Sequence, residues 1–203
     1  MTVIGGGLLW FGWFGFNAGS ALSANAVAAL AFVTTHVSAA SAALAWVLVE
    51  RWPRGKPTML GFLSGLVAIT PAAGYVSPAA SLIIGAASGA ACYGAVQLKE
   101  RWHYDDSLDA FGVHGIGGIL GALLTGVFAQ KALNPGGADG LMAGNPAQPG
   151  KPTVGVVVVG AYSAIITFGL LKLLDRTMGL RAAKDDELEG LDASRHGESG
   201  YVM

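Results

Sequence analysis

Six apolar stretches, each close to the ~20 residues a helix needs to cross the hydrocarbon core of a bilayer, divide this chain and leave it few ways to fold. Cutting at charged residues and at Gly, Pro and Asn punctuation places them at 2 to 19, 25 to 49, 58 to 75, 78 to 97, 107 to 130 and 153 to 174. The third is the shortest. Only 12% of the 203 residues are charged and mean hydropathy is +0.54, so the stretches read as an all-α polytopic membrane protein with six transmembrane helices. The 31 glycines are interleaved with Ala, Leu, Val and Ile, the composition of membrane helices that pack at short interaxial distance. A formal charge of -1 gives no basis for nucleic-acid binding, and Cys92, the single cysteine, excludes an internal disulfide.

Basic residues set the orientation. Arg51, Arg54, Lys56, Lys99, Arg101, Lys172, Arg176, Arg181, Lys184 and Arg195 fall on one side of the six spans, against Lys131 and Lys151 on the other. The positive-inside rule makes the richer side cytoplasmic. Both termini then lie inside, while Ser20, Tyr75 and the Gly/Pro-rich loop 134 to 150 face out. Residues 1 to 178 form the transmembrane domain and 179 to 203 a charged cytoplasmic tail, in a multi-pass protein of the inner (plasma) membrane. No Lys or Arg precedes Arg51, so the start of the chain lacks the basic region of a signal peptide and reads as part of a span.

Ionisable residues within the spans are few, and each is a candidate site because charge or an unpaired polar group is costly in hydrocarbon. His114 lies in DDSLDAFGVHGIGGILGALLT, about one helical turn from Gly117 and Gly118 and two from Gly121, which predicts a buried imidazole on a face bare of side chains. Apolar, close-packed surroundings favour an uncharged ring that donates from one nitrogen and accepts at the other. Asp106, Ser107 and Asp109 stand where they can cap the first amides of this helix. His36 has Thr34, Thr35 and Ser38 beside it, and interhelical hydrogen bonding is its simpler reading. In LLWFGWFGFNAGS, residues Trp13, Phe16, Asn17 and Ser20 share one helix side, with Gly12, Gly15 and Gly19 allowing close approach on the others. Trp10, Phe11 and Phe14 read as an aromatic belt, whereas Phe16 beside the hydroxyl of Ser20 can hold a small hydrated cation.

Several long segments carry a family resemblance: GWFGFNAGS at 12 to 20, ANAVAALAFVTTH at 24 to 36, RGKPTMLGFLSGLVAITPAAGYVSP at 54 to 78, DDSLDAFGVHGIGGILG at 105 to 121 and GLRAAKDDELEGLDASRHGESGY at 179 to 201. Together they resemble the ammonium transporter family (Amt/MEP/Rh), bacterial Amt branch. The resemblance implies a homotrimer of eleven-helix subunits built from two inverted halves, each subunit with its own hydrophobic pore, and this chain resembles the second half, from the sixth helix onward. By position His114 resembles the second of the paired pore histidines, Phe16 an aromatic gate and Ser20 the hydroxyl of the outer recruitment site. Trp13 matches a position near the pore and Asp109 one near its structural support. The tail resembles the segment that contacts a neighbouring subunit and receives a PII-type signalling protein.

The implied function is transmembrane transport of ammonium or ammonia, with no cofactor, no metal and no enzymatic step. An inverted-repeat transporter places its site between the halves, so one half lines one wall. The alternative is a non-conducting fragment that assembles with or regulates intact transporter subunits. A third reading, an intramembrane serine protease using Ser88 and His114, lacks the rest of a nucleophile motif.

Overall fold

The computed structural model describes residues 2 to 54 and 61 to 199. The expected start of the third span at Thr58, Lys56 and the last residues of the tail motif lie outside the described residues. Within them the chain is helical: α1 Thr2–Gly19, α2 Ala26–Arg54, α3 Gly61–Ile69, α4 Pro78–Trp102, α5 Ile116–Phe128, α6 Gly150–Thr177 and α7 Lys184–Glu189. A π-helical turn, Phe111–Gly115, leads into α5, a 3-10 turn occupies Leu141–Ala143, and a second π-helical turn occupies Asp192–His196. Among the described residues four stretches are long and apolar enough to cross a membrane: Ala26–Arg51, Pro78–Trp102, Phe111–Phe128 and Gly150–Thr177.

Local chemistry sets the ends of these helices. The Asn25 side chain accepts from the Ala28 amide at 2.9 Å at the start of α2. Ser77 caps α4 by accepting from Ala80 at 3.2 Å, with Pro78 at the first position, where its missing amide costs nothing. At its other end His103, in the left-handed region (φ 52°), donates its amide to Lys99 O. The third apolar stretch departs most from expectation, because its helix stops at Ile69 rather than near Tyr75. Pro71 has no amide to continue the ladder and restricts Thr70, so residues 70 to 75 wind as tight turns, with Ala72 donating to Ile69 O and Tyr75 to Ala72 O, each at 2.8 Å.

Two compact units divide the chain, residues 1–157 and 158–203. In the first, α2 is the central helix, and small residues let α3 and α4 press against it. A Cβ on Gly65 would meet Ser38 O at 2.5 Å, one on Gly85 the same oxygen at 2.2 Å, and one on Gly89 would meet Ala42 O at 2.4 Å. Helix α5 meets α3 in the same way, through Gly121 against Ala68 O. The glycines of α1 behave differently from expectation: Gly12, Gly15 and Gly19 face open space, and the close approach is at Gly6, against the ring of Phe62.

Buried hydroxyls stitch the same helices. Thr34 donates to Ala73 O at 2.7 Å, Ser38 to Gly65 O at 2.9 Å and Ser88 to Ser64 O at 2.7 Å. All four of these hydroxyl-bearing residues, Thr34, Ser38, Ser64 and Ser88, are fully buried. In a medium without water such bonds are worth about 0.6 to 2 kcal/mol each, and they replace what a purely hydrophobic drive cannot supply.

The second unit holds the end of α6, α7 and the π-turn that follows. Helix α6 carries no buried residue along its length. Asp185, Asp186 and Glu187 stand in the first turn of α7, where the helix dipole favours them. The Arg181 guanidinium grips Glu187 with two hydrogen bonds, 3.1 and 3.0 Å, and Arg195 pairs with Asp186.

Candidate functional site

At one end of the first unit, the C-terminal end of α1, the start of α2 and the turns after α3 enclose a cavity of about 380 Å³. Phe16 and Asn17 reach it from α1, Ser20 from the turn just after α1, and Thr70, Ala73 and Tyr75 from the turns after α3. Asn134 closes one side from the loop after α5. That loop is drawn onto the turn by Gln130, which donates its amide to Tyr75 O at 2.8 Å, and by Gly137, where a Cβ would strike the Tyr75 ring at 2.7 Å. The structure thus gathers Ser20, Tyr75 and the loop at 134, three pieces expected on the same side of the bundle, around one space.

The side of α1 picked out in the sequence is held by two polar contacts. Trp13 donates its indole N–H to Thr70 Oγ1 at 2.9 Å, and Asn17 donates from Nδ2 to Thr35 Oγ1 at 2.9 Å. Asn17 is buried and Trp13 half-buried. Phe16 stays 59% exposed, its ring 5.5 Å from that of Trp13 in an edge contact. Ser20 is exposed and donates back to Phe16 O at 2.6 Å, which leaves its oxygen lone pairs as the acceptor offered to the cavity. An aromatic face, a hydroxyl oxygen and amide carbonyls around one space suit a small cation bearing N–H donors.

His114 is placed differently from expectation. It lies in the π-turn and is exposed, and it does not line the cavity. The wide turn, with Ile116 donating its amide to Phe111 O, leaves Val113 in the four-residue row with Gly117 and Gly121; all three are buried, as are Gly112 and Gly126, while His114 is not. Gly117 meets Ser64 and Val67 of α3, one to two helical turns from Thr70 at the cavity. The imidazole therefore stands further along the bundle than the Phe16 and Ser20 pair, on a side that α3 and α4 leave uncovered.

The acids before this turn also divide their labour. Asp106 is the cap, accepting from Ala110 and Phe111 amides at 2.9 and 3.0 Å. Asp109 instead forms an ion pair with Lys99 of α4 and takes a left-handed backbone (φ 54°), a conformation that costs most residues about 1 to 2 kcal/mol but which Asp adopts more readily.

His36 has no hydrogen bond to Thr34, Thr35 or Ser38: Thr34 donates to carbonyls of its own helix and to Ala73 O, Thr35 donates to Ala31 O and accepts from Asn17 of α1, and Ser38 donates to Gly65 O. Its exposed ring packs 5.3 Å from Trp10 and 6.1 Å from Phe14. Trp10 and Phe14 in turn stack on Phe62 and Phe32, so both serve interhelical packing, while Phe11 remains exposed as a belt residue would. Ser88 spends its hydroxyl on Ser64 O, and no contact joins it to His114. Sequence reasoning missed Thr70, Asn134 and Lys99. Thr70 was signalled only by the proline after it, and Asn134 lies in a loop whose course no periodicity dictates.

Comparison with known proteins decides the family. The model of the Ammonium Transporter Family matches residues 1–201. The chain belongs to the ammonium transporter family. It is 48% identical over 205 residues to an ammonium transporter of Bacillus subtilis, covering 98% of this chain and 51% of that protein. It is 50% identical over 208 residues to an ammonium transporter of Aquifex aeolicus, covering 100% and 48%. The crystal structure of Saccharomyces cerevisiae Mep2 superposes with a TM-score of 0.85 at 34% identity, over 90% of this chain and 43% of Mep2. The chain spans about half the length of the curated ammonium transporters it matches. Family membership and the long apolar helices together make this ammonium transporter chain part of a multi-pass membrane protein.

Proposed function

We propose that this chain is the second half of an ammonium transporter domain and forms one wall of a path for ammonium and ammonia. The observation that carries the proposal is the cavity framed by Phe16 and Ser20 in a chain that matches the ammonium transporter family over residues 1–201. In this reading residues 1–178 are the membrane domain and contribute six of eleven spans to an inverted repeat, and residues 179–203 are a cytoplasmic tail. Subunits assemble as homotrimers in the plasma (inner) membrane, and the tail docks a PII-type signalling protein.

Ammonium and potassium have similar size and equal charge, so a rigid cavity separates them poorly. Ammonium alone can surrender a proton. The cation is concentrated at the cavity by the face of Phe16 and the oxygen of Ser20, with Trp13 holding the ring edge-on through its bond to Thr70. Past Phe16 it loses water and gives its proton to the accepting nitrogen of an uncharged imidazole on the path, and ammonia moves on along imidazoles that include His114. The exposure of His114 supports this assignment, since a ring that lines a path between two halves is uncovered when one half is viewed alone. Asp109 supports the path through its ion pair at the base of the His114 turn.

The test is uptake of methylammonium by the intact protein in a host without ammonium transporters of its own. His114→Asp and Phe16→Ala should each lower flux or alter selectivity against potassium. Parental flux and selectivity in both variants would refute the reading.

A further inference from the structure

We infer that Lys99 is a positioning residue for the imidazole of His114, acting from a neighbouring helix without touching the transported species. The inference rests on the reading that ammonia passes His114, and goes beyond it by naming what sets the ring's register.

Lys99 is in the last turns of α4, and its ammonium reaches across to the segment that starts the His114 turn. There it donates to Asp106 O at 2.8 Å and pairs with the Asp109 carboxylate. Asp106 O is also the acceptor of the Asp109 amide at 3.2 Å, so one cation closes a three-way knot of backbone and side chain. Each strand of that knot leads to His114. The Asp106 carboxylate holds the Ala110 and Phe111 amides, and Asp109 O accepts from Val113, the residue before the histidine, at 2.9 Å. Asp109 meanwhile occupies the left-handed region at φ 54°. That conformation puts its carboxylate on the α4 side, and the ammonium gives it a reason to stay there.

The consequence is geometric. A π-turn and an α-turn over residues 111 to 115 differ by one residue of register, which swings a side chain by roughly 100° about the axis. With the π-turn, Val113 is buried and His114 exposed. Besides the Lys99 contacts, α4 meets this turn through Val96, which packs on Gly112, and through Cys92, whose Sγ stands 3.8 Å from Val113 O. Misplacing a functional group by about 1 Å can cost up to about 100-fold in turnover, so a register change should be severe.

The experiment uses the intact transporter with Lys99→Met, Lys99→Arg and His114→Asp, reading methylammonium uptake per molecule in the membrane. The cavity at Phe16 and Ser20 lies further along the bundle, so Lys99→Met should lower Vmax by about 10-fold or more while KM stays within about twofold. Lys99→Arg, which keeps the charge and can reach both acceptors, should restore the greater part of the turnover. Overturning results are full Vmax per molecule in Lys99→Met, a KM that rises with the fall in Vmax, or no recovery with arginine. If His114→Asp lowers flux and Lys99→Met does not, only the positioning role fails. If His114→Asp itself leaves flux and selectivity unchanged, the path reading fails and the positioning role with it.

Discussion

Replacing Gly85 with alanine should loosen the bundle far more than the same change nine residues further along the same helix. At Gly85 a new Cβ would lie 2.2 Å from Ser38 O and 2.9 Å from Ser38 Cα, both backbone atoms that no rotamer change can move. At Gly94 nothing stands within 4 Å. An ordinary contact needs about 3.4 Å, so α2 and α4 must part by about 1 Å near Ser38, and overpacking of this kind costs about 1 to 3 kcal/mol. Gly94→Ala meets no such clash and gains the helix preference of alanine. Cys92 supplies the assay, since its thiol is fully buried beside the same interface. In a background where Cys92 is the only cysteine, labelling by a maleimide in detergent reports the opening of the bundle. Gly85→Ala should label about 5- to 150-fold faster than the parent, the range that 1 to 3 kcal/mol sets, and Gly94→Ala no faster. Equal rates for Gly85→Ala and the parent, or equal acceleration in both variants, would refute the claim that backbone contact at Ser38 sets the spacing of these helices.

Thr35→Val should remove the partner of the buried Asn17 amide, at a cost of about 1 to 3 kcal/mol, seen as faster Cys92 labelling with the fold retained. Ser20→Ala removes the hydroxyl oxygen from the cavity rim and should raise KM for methylammonium by about fivefold, the equivalent of about 1 kcal/mol, with Vmax little changed. Arg181→Gln breaks an ion pair whose partners are 67% and 36% exposed, and should change the melting of the intact protein by less than the equivalent of about 1 kcal/mol.

What the sequence makes legible follows the range of the forces involved. Apolar runs bounded by charge and proline are local signals, and α1 runs Thr2–Gly19 and α4 begins at Pro78 where those signals stand. The end of α3 at Ile69 was also local, written in Thr70 and Pro71, but hydropathy continues through Tyr75 and masks it. The cluster of Trp13, Phe16, Asn17 and Ser20 was visible as a helix face, yet its partners Thr70 and Thr35 are distant in sequence and no period points to them. His114 was read on an ideal helix of 3.6 residues per turn. The π-turn depends on Asp106, Asp109 and a lysine of another helix, and an intrasegment pattern holds no trace of that cross-link. The glycines of α1 show the same limit, since spacing says which face is bare and only a neighbour says whether anything fills it.

The bond from Thr34 to the carbonyl of Ala73 has a bearing on how anything enters. It ties the floor of the vestibule to the axis of α2, while Trp13 and Asn17 clamp α1 to the same frame. Dilating the entrance would mean breaking these three bonds together, so the helices hold the width of the mouth. The benzyl group of Phe16 carries no such tether, so in the proposed path its torsion, rather than a parting of helices, is what can widen the way in.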